Sequence, residues 1–427
     1  MRLLIVAFYF PPAGGGGVQR TLKFCKYLPD HGIEVHVLAP QDPKWFAADE
    51  ELLGAVPAST VVHRARFLGP RSASRADALH GRSPAARMAV EARFAFQRTL
   101  IPDKAVPWLA TAVPAGIRIV RQEGIDVIMS TSPPSSVHLA AEAIAAAARR
   151  PFVADFRDSW LDNPHRRYDK AGVRAKRAVV ARMARSVAGR AAALTAATGA
   201  IAQEVGALHE SAAHKTTVIE NGADFDDFEQ IAHRPGERFT IVHAGAFFGQ
   251  RTPRPFLQAL AAMLERRPQL RERVLARFVG PLRDGDRAFA NSLGIDGAWR
   301  EDGFRPYAES VRAQREADAL LLLIPHAGGR GDTVLSGKVF EYIAARRPVL
   351  AAVPPQGAAA NLIRAVGAGE VVDGDDVAGM SRVLEELVDR WAAGGLPDVD
   401  QPEDVRARIS RAGRAAELAS VLRRVAE

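Results

Sequence analysis

Residues Ala319-Leu320-Leu321-Leu322-Leu323-Ile324 and, further on, Gly337-Lys338-Val339-Phe340-Glu341-Tyr342-Ile343-Ala344-Ala345-Arg346-Arg347-Pro348-Val349-Leu350-Ala351 decide the fold of this chain. A short apolar run gives way to a polar, Gly-containing loop, Gly331-Asp332-Thr333-Val334-Leu335-Ser336, then to a segment with helical spacing, then to a second short apolar run. A strand buried on both faces, a crossover helix and a parallel neighbour are written in this way.

The same beat runs outward in both directions. In the second half further apolar runs lie at 239–243, 274–279, 299–304, 348–351 and 370–372; in the first half they lie at 3–7, 35–38, 127–129, 151–154, 193–195 and 217–219. Their spacing is too long for hairpins, and alanine-rich helical segments at 21–28, 136–148 and 175–193 fill the clearest intervals. The periodicity stops at the turn Asn221-Gly222 and restarts after Arg234-Pro235-Gly236-Glu237. The expected architecture is α/β, with two Rossmann-like doubly wound parallel-sheet domains facing each other. Residues 1–232 form the first domain and 233–400 the second; 401–427 form a C-terminal helix that packs back toward the first domain.

The 427 residues are 48% hydrophobic and 25% charged, which excludes wholesale disorder, collagen-like repeats and disulfide-rich miniproteins. The single cysteine, Cys25, forms no intramolecular disulfide, no Cys/His group has zinc-finger spacing, and a reducing cytoplasm is expected. Fifty-seven basic against 49 acidic residues leave +8, compatible with nucleic acid, anionic lipid or phosphorylated ligands. Residues 1–10 are apolar but Pro11-Pro12 follow at once, so they read as a strand rather than a signal peptide, and no run reaches the length of a spanning helix. A soluble or peripheral protein is expected.

Four clusters carry chemistry. After the first strand, Phe10-Pro11-Pro12-Ala13-Gly14-Gly15-Gly16-Gly17-Val18-Gln19-Arg20 leads into a helix, so backbone N–H groups at Gly16 and Gly17 can approach a phosphate or an acidic sugar edge. It is not G-x-G-x-x-G, and Ala39-Pro40-Gln41 ends the second strand where a ribose-binding acid would sit, which disfavours a nicotinamide site. Ala154-Asp155-Phe156-Arg157-Asp158-Ser159-Trp160 closes another strand. There Asp155 and Asp158 are candidate catalytic carboxylates or half of a structural Asp–Arg pair, and Gln19, Arg20, Arg157 and Ser132 are acceptor-side candidates. Arg251, just past the strand at 239–243, can neutralise a departing diphosphate. Lys338 is one of only eight lysines in a chain that writes its positive charge as arginine, and it suits a point contact to phosphate. Glu341, one turn on, can accept from ribose hydroxyls or pair with a neighbouring cation; Gly245, Phe304, Ser336 and Gly337 are further candidates for binding the same phosphate- and ribose-bearing ligand.

Two segments stand apart from the beat. Residues 64–104 set Arg64, Arg66, Arg71, Arg75, Arg82, Arg87, Arg93 and Arg98 among Phe67, Phe94, Phe96, Leu100 and Ile101, as an acceptor-side or membrane-facing insertion or a surface helical hairpin. Residues 171–203 hold Arg174, Lys176, Arg177, Arg182, Arg185 and Arg190 before any acid, with Val179, Val180, Met183 and Val187 between them. This is either a helix that lies on anionic lipid or a solvated face.

In their order, Phe10 to Arg20, Asn221-Gly222-Ala223-Asp224, Gly245 to Arg251 and above all Gly337 to Leu350 make the chain resemble the GT-B glycosyltransferases, most specifically the retaining glycosyltransferase family 4, over nearly its whole length. The resemblance implies a UDP- or GDP-linked sugar held mainly by the second domain at Arg251 and Glu341. It further implies a saccharide, lipid-linked or natural-product acceptor on the first domain, transfer with retention, and no obligatory metal or other cofactor. Two positions depart from the family: Thr333, with Asp332 beside it, stands where a second Glu is frequent, and Ala246 where an Arg commonly follows the loop glycine. A frequent cleft histidine is also missing at Asp155 to Asp158. The other readings are a sugar-nucleotide epimerase on the same fold and a basic polyanion-binding protein; no nucleic-acid module is recognisable. The expected location is the cytoplasm, free or at the inner face of the plasma membrane.

Overall fold

The short apolar runs become two all-parallel sheets in a computed structural model, which describes residues 1–43, 45, 47–70, 83–161, 171–247 and 249–427. The first contains β1 (Arg2–Ala7), β2 (Glu34–Gln41), β3 (Val61–Arg66), β4 (Val127–Ser132), β5 (Phe152–Phe156), β6 (Ala193–Ala196) and β7 (Thr216–Val218), in the order β3-β2-β1-β4-β5-β6-β7. The second contains β8 (Phe239–Ala244), β9 (Val274–Val279), β10 (Trp299–Glu301), β11 (Ala319–Leu323), β12 (Val349–Ala352) and β13 (Gly369–Val372), ordered β10-β9-β8-β11-β12-β13. Each order reverses once, beside β1 and beside β8, and ligands of open α/β sheets bind beyond the carboxyl ends of strands at that switch.

Helices of the first half are α1 (Gly16–Tyr27), α2 (Pro84–Thr99), α3 (Leu109–Glu123), α4 (Ser136–Ala148), α5 (Ala171–Arg190) and α6 (Gly199–Gly206). They are followed by α7 (Asp226–Glu229), α8 (Arg254–Arg266), α9 (Asp284–Ser292), α10 (Tyr307–Glu316), α11 (Gly337–Ala344) and α12 (Ala358–Ala365). The chain ends in α13 (Val377–Ala392), α14 (Glu403–Ile409) and α15 (Arg411–Ala426).

Two compact units result, one from residues up to Glu220 with Ala415–Glu427, the other from Asn221–Arg414. Alternation along β1 sorts the first unit's core: Leu4 and Val6 join Ile128, Phe156, Trp108 and Ile144 on one face, while Leu3 and Ile5 join Val37, Met129 and, from α15, Leu418 and Leu422 on the other. In the second unit Phe239 and Ile241 face Leu257, Leu260 and Leu384, and Val242 and Ala244 face Val339, Phe340 and Ile343.

Three expectations change. Residues 221–232 belong with the second unit rather than the first, because Ala223 donates its N–H to Ile409 O and accepts from Arg411 N, and Phe228 of α7 is buried in that unit's core. The C-terminal 401–427 is two helices in different units rather than one. The start of the 64–104 insertion is the edge strand β3, and α2 lies within it, with Ser83 Oγ accepting from Ala86 N at 3.4 Å as N-cap. Arg71, Arg75 and Arg82 lie outside the described residues.

Candidate functional site

Beyond β8 the backbone turns at Gly245, whose N–H donates to Val279 O at 2.7 Å and whose φ of 121° suits glycine. A Cβ on Gly245 would stand 2.5 Å from Lys338 Nζ, and one on Gly280 would stand 2.6 Å from Gly245 O. Two glycines therefore let the loops after β8 and β9 close on each other and let the ammonium lie directly against the backbone. Lys338 is in the first turn of α11. The hydroxyl of Ser336, at the N-cap of this helix, is buried and makes no hydrogen bond among the described residues, none of which a Cβ on Gly337 would meet within 4 Å. An uncapped helix N-terminus beside a lysine is a preorganised anion site.

Arg251, in the loop after β8, is 5% exposed, and its field acts on Lys338. Burial, then the field of Arg251, pulls the Lys338 ammonium well below the usual lysine range, against the opposing pull of Glu341. Arg254, the other basic residue of this loop, is engaged elsewhere: its Nε donates to the buried Asp286 at 2.7 Å, alongside Arg283 and Thr252. Glu341 lies within the fields of Lys338 and Arg411, and burial raises its pKa despite both cations. Phe304 follows β10 and is 41% exposed, a free aromatic face.

Sequence reasoning missed the floor of this cluster. Pairing of β8 with β11 is registered at Ala319↔Ile241 and Leu320↔Val242. Beyond it side chains take over the backbone groups: Tyr342 Oη accepts from Ala244 N at 2.8 Å and lies 3.4 Å from Leu321 O, and His243 Nδ1 lies 2.9 Å from the same carbonyl. The His243 ring is buried and stacks on Phe247 at 4.7 Å. The only signal was a histidine inside an apolar strand two residues before the loop glycine.

In the first unit the glycine loop is pinned at its base by Gly14 N to Ala47 O at 2.9 Å, by Asp49 N to Pro12 O at 2.8 Å and by Arg64 of β3, which donates to Pro11 O. Gly16 is exposed and a Cβ there would meet nothing within 4 Å among the described residues. Gly17 accepts from Arg157 Nη1, and a Cβ on it would lie 3.6 Å from Arg157 Nη2 and 3.7 Å from Tyr9. Tyr9 belongs to an aromatic group not foreseen from sequence: Phe8 packs edge-on against Tyr9, Trp45, Phe67 and Trp108 at 5.4–5.8 Å. Asp158 is exposed.

Two expectations for this unit are corrected. Asp155 is fully buried and both its oxygens are occupied: they accept from Arg20 Nε (3.0 Å) and Nη2 (2.8 Å), and from Thr131 and Thr195 hydroxyls, each at 2.7 Å. Burial opposes its ionisation, but Arg20 and the hydroxyls together hold its pKa below the ordinary value. Asp155 therefore braces the sheet instead of facing a reacting group, and Arg20, also bonded to Ile219 O and Glu220 O, braces with it instead of facing an acceptor. Ser132 is buried with its hydroxyl 3.5 Å from Asp155 O, and Gln19 is buried with neither amide atom bonded among the described residues.

A cavity of about 530 Å³ in the second unit is lined by Gln230, Arg234, Thr240, Arg312 and Asp318. Thr240 and Asp318 mark the amino ends of β8 and β11, the wrong end of a parallel sheet for a donor site.

Residues 14–227 match the family model of Glycosyltransferase Family 4. A search of curated proteins gave no match. Among solved structures, HepE of Anabaena in complex with UDP and glucose is 15% identical, covering 99% of this chain and 100% of its own, at a TM-score of 0.62. Sucrose-phosphate synthase of Thermosynechococcus elongatus is 13% identical, covering 99% and 98%, at 0.61. A putative UDP-N-acetylglucosamine 2-epimerase of Listeria monocytogenes is 12% identical, covering 99% and 95%, at 0.54. The architecture of two parallel-sheet domains is thus that of the GT-B fold.

Proposed function

The chain belongs to glycosyltransferase family 4, and from that premise we propose that it moves a hexosyl or related sugar from a nucleoside-diphosphate donor to an acceptor hydroxyl, with retention and without an obligatory metal. The observation that carries this reading is the Lys338 ammonium lying on Gly245 at the carboxyl end of β8, with Arg251 beside it. Two fixed cations and the start of α11 supply the charge that a departing diphosphate requires. The bond between the anomeric carbon and the phosphate oxygen breaks, the bond to the acceptor oxygen forms, and the acceptor proton passes to the phosphate oxygen on the same face. Phe304 offers a stacking face for the base, and Glu341 an acceptor for ribose hydroxyls. UDP is favoured over GDP by the ligands that the HepE structures contain.

Thermal-shift titration with a nucleotide panel tests the donor. Stabilisation by UDP or GDP that is lost in Arg251→Ala and Lys338→Ala is expected; no response to any nucleoside diphosphate would overturn the reading. The epimerase likeness keeps one alternative in play, and acceptor dependence separates the two: an epimerase consumes UDP-sugar with no acceptor present.

On the acceptor side, Tyr9, Gly17, Arg157 and Asp158 offer an aromatic face with mixed charge, suited to a saccharide or a lipid-linked saccharide. An anionic membrane is the surface this unit fits. Helix α2 exposes a face with Met88 at 72% and Phe96 at 66% beside exposed Arg87 and Arg93, and Leu100 O at its end accepts from Lys176 Nζ of α5 at 2.7 Å. Helix α5 adds exposed Arg177, Val179, Arg182 and Arg185 and no acid. Apolar side chains among basic ones complement an anionic bilayer. No helix among the described residues is long and apolar enough to cross one. Action at the cytoplasmic face of the membrane follows from this reading.

A further inference from the structure

The loop that carries Arg251 is held by its neighbours rather than by itself. Among the described residues, backbone-to-backbone bonds fix it only at Gly245, whose N–H meets Val279 O; from Ala246 to Thr252 side chains do the holding. Gly249, with φ of 63°, lets the chain turn within this stretch. Arg283, which precedes α9, grips the stretch on both sides of Gln250: its Nη1 donates to Gly249 O at 3.0 Å and its Nη2 to Arg251 O at 2.9 Å. Its Nε donates to Asp286 at 2.8 Å, so all three nitrogens are engaged and the plane of the fork is set.

Asp286 is 2% exposed and serves the far end of the loop as well. Its Oδ1 accepts from Thr252 Oγ1 at 3.0 Å and from Arg254 Nε at 2.7 Å. Burial opposes its ionisation, but bonds from Arg254, Arg283 and Thr252 hold its pKa below the ordinary value, so it stays a carboxylate. The base beneath Arg283 is firm: Leu282 N donates to Glu301 Oε1 at 2.9 Å, and Arg287 of α9 holds the same carboxylate through Nε at 2.8 Å. All of these residues belong to the second unit.

The Arg283 side chain is 43% exposed and its loop partners are neutral carbonyls, which water can satisfy when the guanidinium is gone, while Arg254 still neutralises Asp286. Its removal therefore costs the fold little and frees the loop, and a group displaced by about 1 Å loses much of its effect on a bound ligand. We propose that Arg283, locked by Asp286, is a positioning residue for the diphosphate: its fork fixes the backbone from Gly249 to Arg251 and so aims the Arg251 side chain at the phosphate. The proposal rests on the donor reading above. Arg283 touches no ligand atom and acts only through Arg251.

Calorimetric UDP affinities of the full-length protein in a double-mutant cycle test this. Arg283→Gln is expected to bind UDP about tenfold more weakly than wild type with little change in melting temperature, and Arg283→Lys alike, since one ammonium cannot span two carbonyls. In the Arg251→Ala background the Gln substitution should cost nothing further, within about twofold, because no guanidinium is left to place. Wild-type affinity in both single variants overturns the proposal. So do losses that multiply in the double variant, since Arg283 would then act on the ligand or on the fold by itself. Arginine 15Nε spectra of the unaltered protein give a check that needs no variant to fold: on UDP addition the Arg251 resonance should move further than that of Arg283, and the reverse overturns the proposal. Failure of the wild type to bind any nucleotide would overturn the donor reading itself, a result distinct from UDP binding that Arg283→Gln leaves intact.

Discussion

Arg20 and Asp155, 135 residues apart in sequence, meet in a bidentate pair with side-chain exposures of 1% and 0%. Arg20 also ties α1 to the end of β7 through Ile219 O and Glu220 O, so one guanidinium fastens the helix after the glycine loop to three points of the sheet's far side. Removing one partner of a buried pair strands the other charge, at a cost of roughly 3–5 kcal/mol. Asp155→Ala should accordingly lower the melting temperature of the first unit sharply while the folded fraction keeps its UDP affinity. A folded, fully stable Asp155→Ala enzyme without turnover would return this residue to the chemistry.

That pairing also marks where the sequence stops being legible. Continuous apolar runs such as Leu3 to Ala7 and Leu320 to Leu323 announce buried parallel strands, and Lys338 stands out because so few lysines surround it. β3, written Val61-Val62-His63-Arg64-Ala65-Arg66, is an edge strand with only Ala65 buried, so its pattern is too polar to read. Asp155 and Arg157 are two residues apart on either side of a strand end, yet one is a brace and the other touches the glycine loop. Only the partners brought by distant segments tell them apart. His243 was illegible for the same reason, since its partner is the distant Leu321 O.

Lys338 should weigh against stability and in favour of binding. Its pKa in the folded protein lies below the unfolded value, so between those two values the unfolded chain holds more protons and stability rises with pH. Lys338→Met keeps the stem and removes the charge. It should stabilise the unliganded protein by roughly 1–2 kcal/mol at neutral pH, with a gap to wild type that narrows as pH rises through the lysine's lowered range, and it should cost at least about tenfold in UDP affinity. Melting curves at several pH values with and without UDP measure both. A destabilised Lys338→Met protein would show that the ammonium is a structural brace.

The two glycine loops should respond differently to a side chain. Gly245→Ala adds a methyl where Lys338 Nζ would be 2.5 Å away, on a backbone with φ of 121°, so it should lose roughly 1–3 kcal/mol of stability and displace the ammonium, weakening UDP binding. A Cβ on Gly16 meets nothing within 4 Å among the described residues, so the melting temperature of Gly16→Val should stay near wild type while turnover falls because a ligand is excluded. Equal turnover in Gly16→Val would reduce the glycine loop to a turn.

Acid should destabilise the protein through buried neutral histidines. His138 is fully buried, shares a 2.7 Å hydrogen bond with Ser130 Oγ and stacks on Phe156, and burial lowers its pKa to about 3; His233 is lowered to about 4 and His243 lies well below the usual value. Each folded-state pKa is below the unfolded one, so each contribution is complete above about pH 6.5 and is lost as pH falls toward the folded value. The melting temperature should drop steadily from pH 7 to pH 4.5, and His138→Gln should flatten that slope. An unchanged slope would mean that His138 is charged, or solvated, in the folded protein.

The exposed face of α2 and α5 gives the last prediction. Each basic residue near an anionic bilayer contributes about 1 kcal/mol, and Met88 and Phe96 add burial of apolar surface. Flotation with phosphatidylglycerol-containing vesicles should recover the protein, whereas pure phosphatidylcholine vesicles should not. Raising salt should weaken but not abolish the association, because the apolar part is not screened. Met88→Glu with Phe96→Glu should abolish flotation and leave UDP binding untouched, since both side chains belong to the first unit and the Gly245–Lys338 cluster to the second. Flotation unchanged in that double variant, or equal on both vesicle types, would remove α2 from any membrane role.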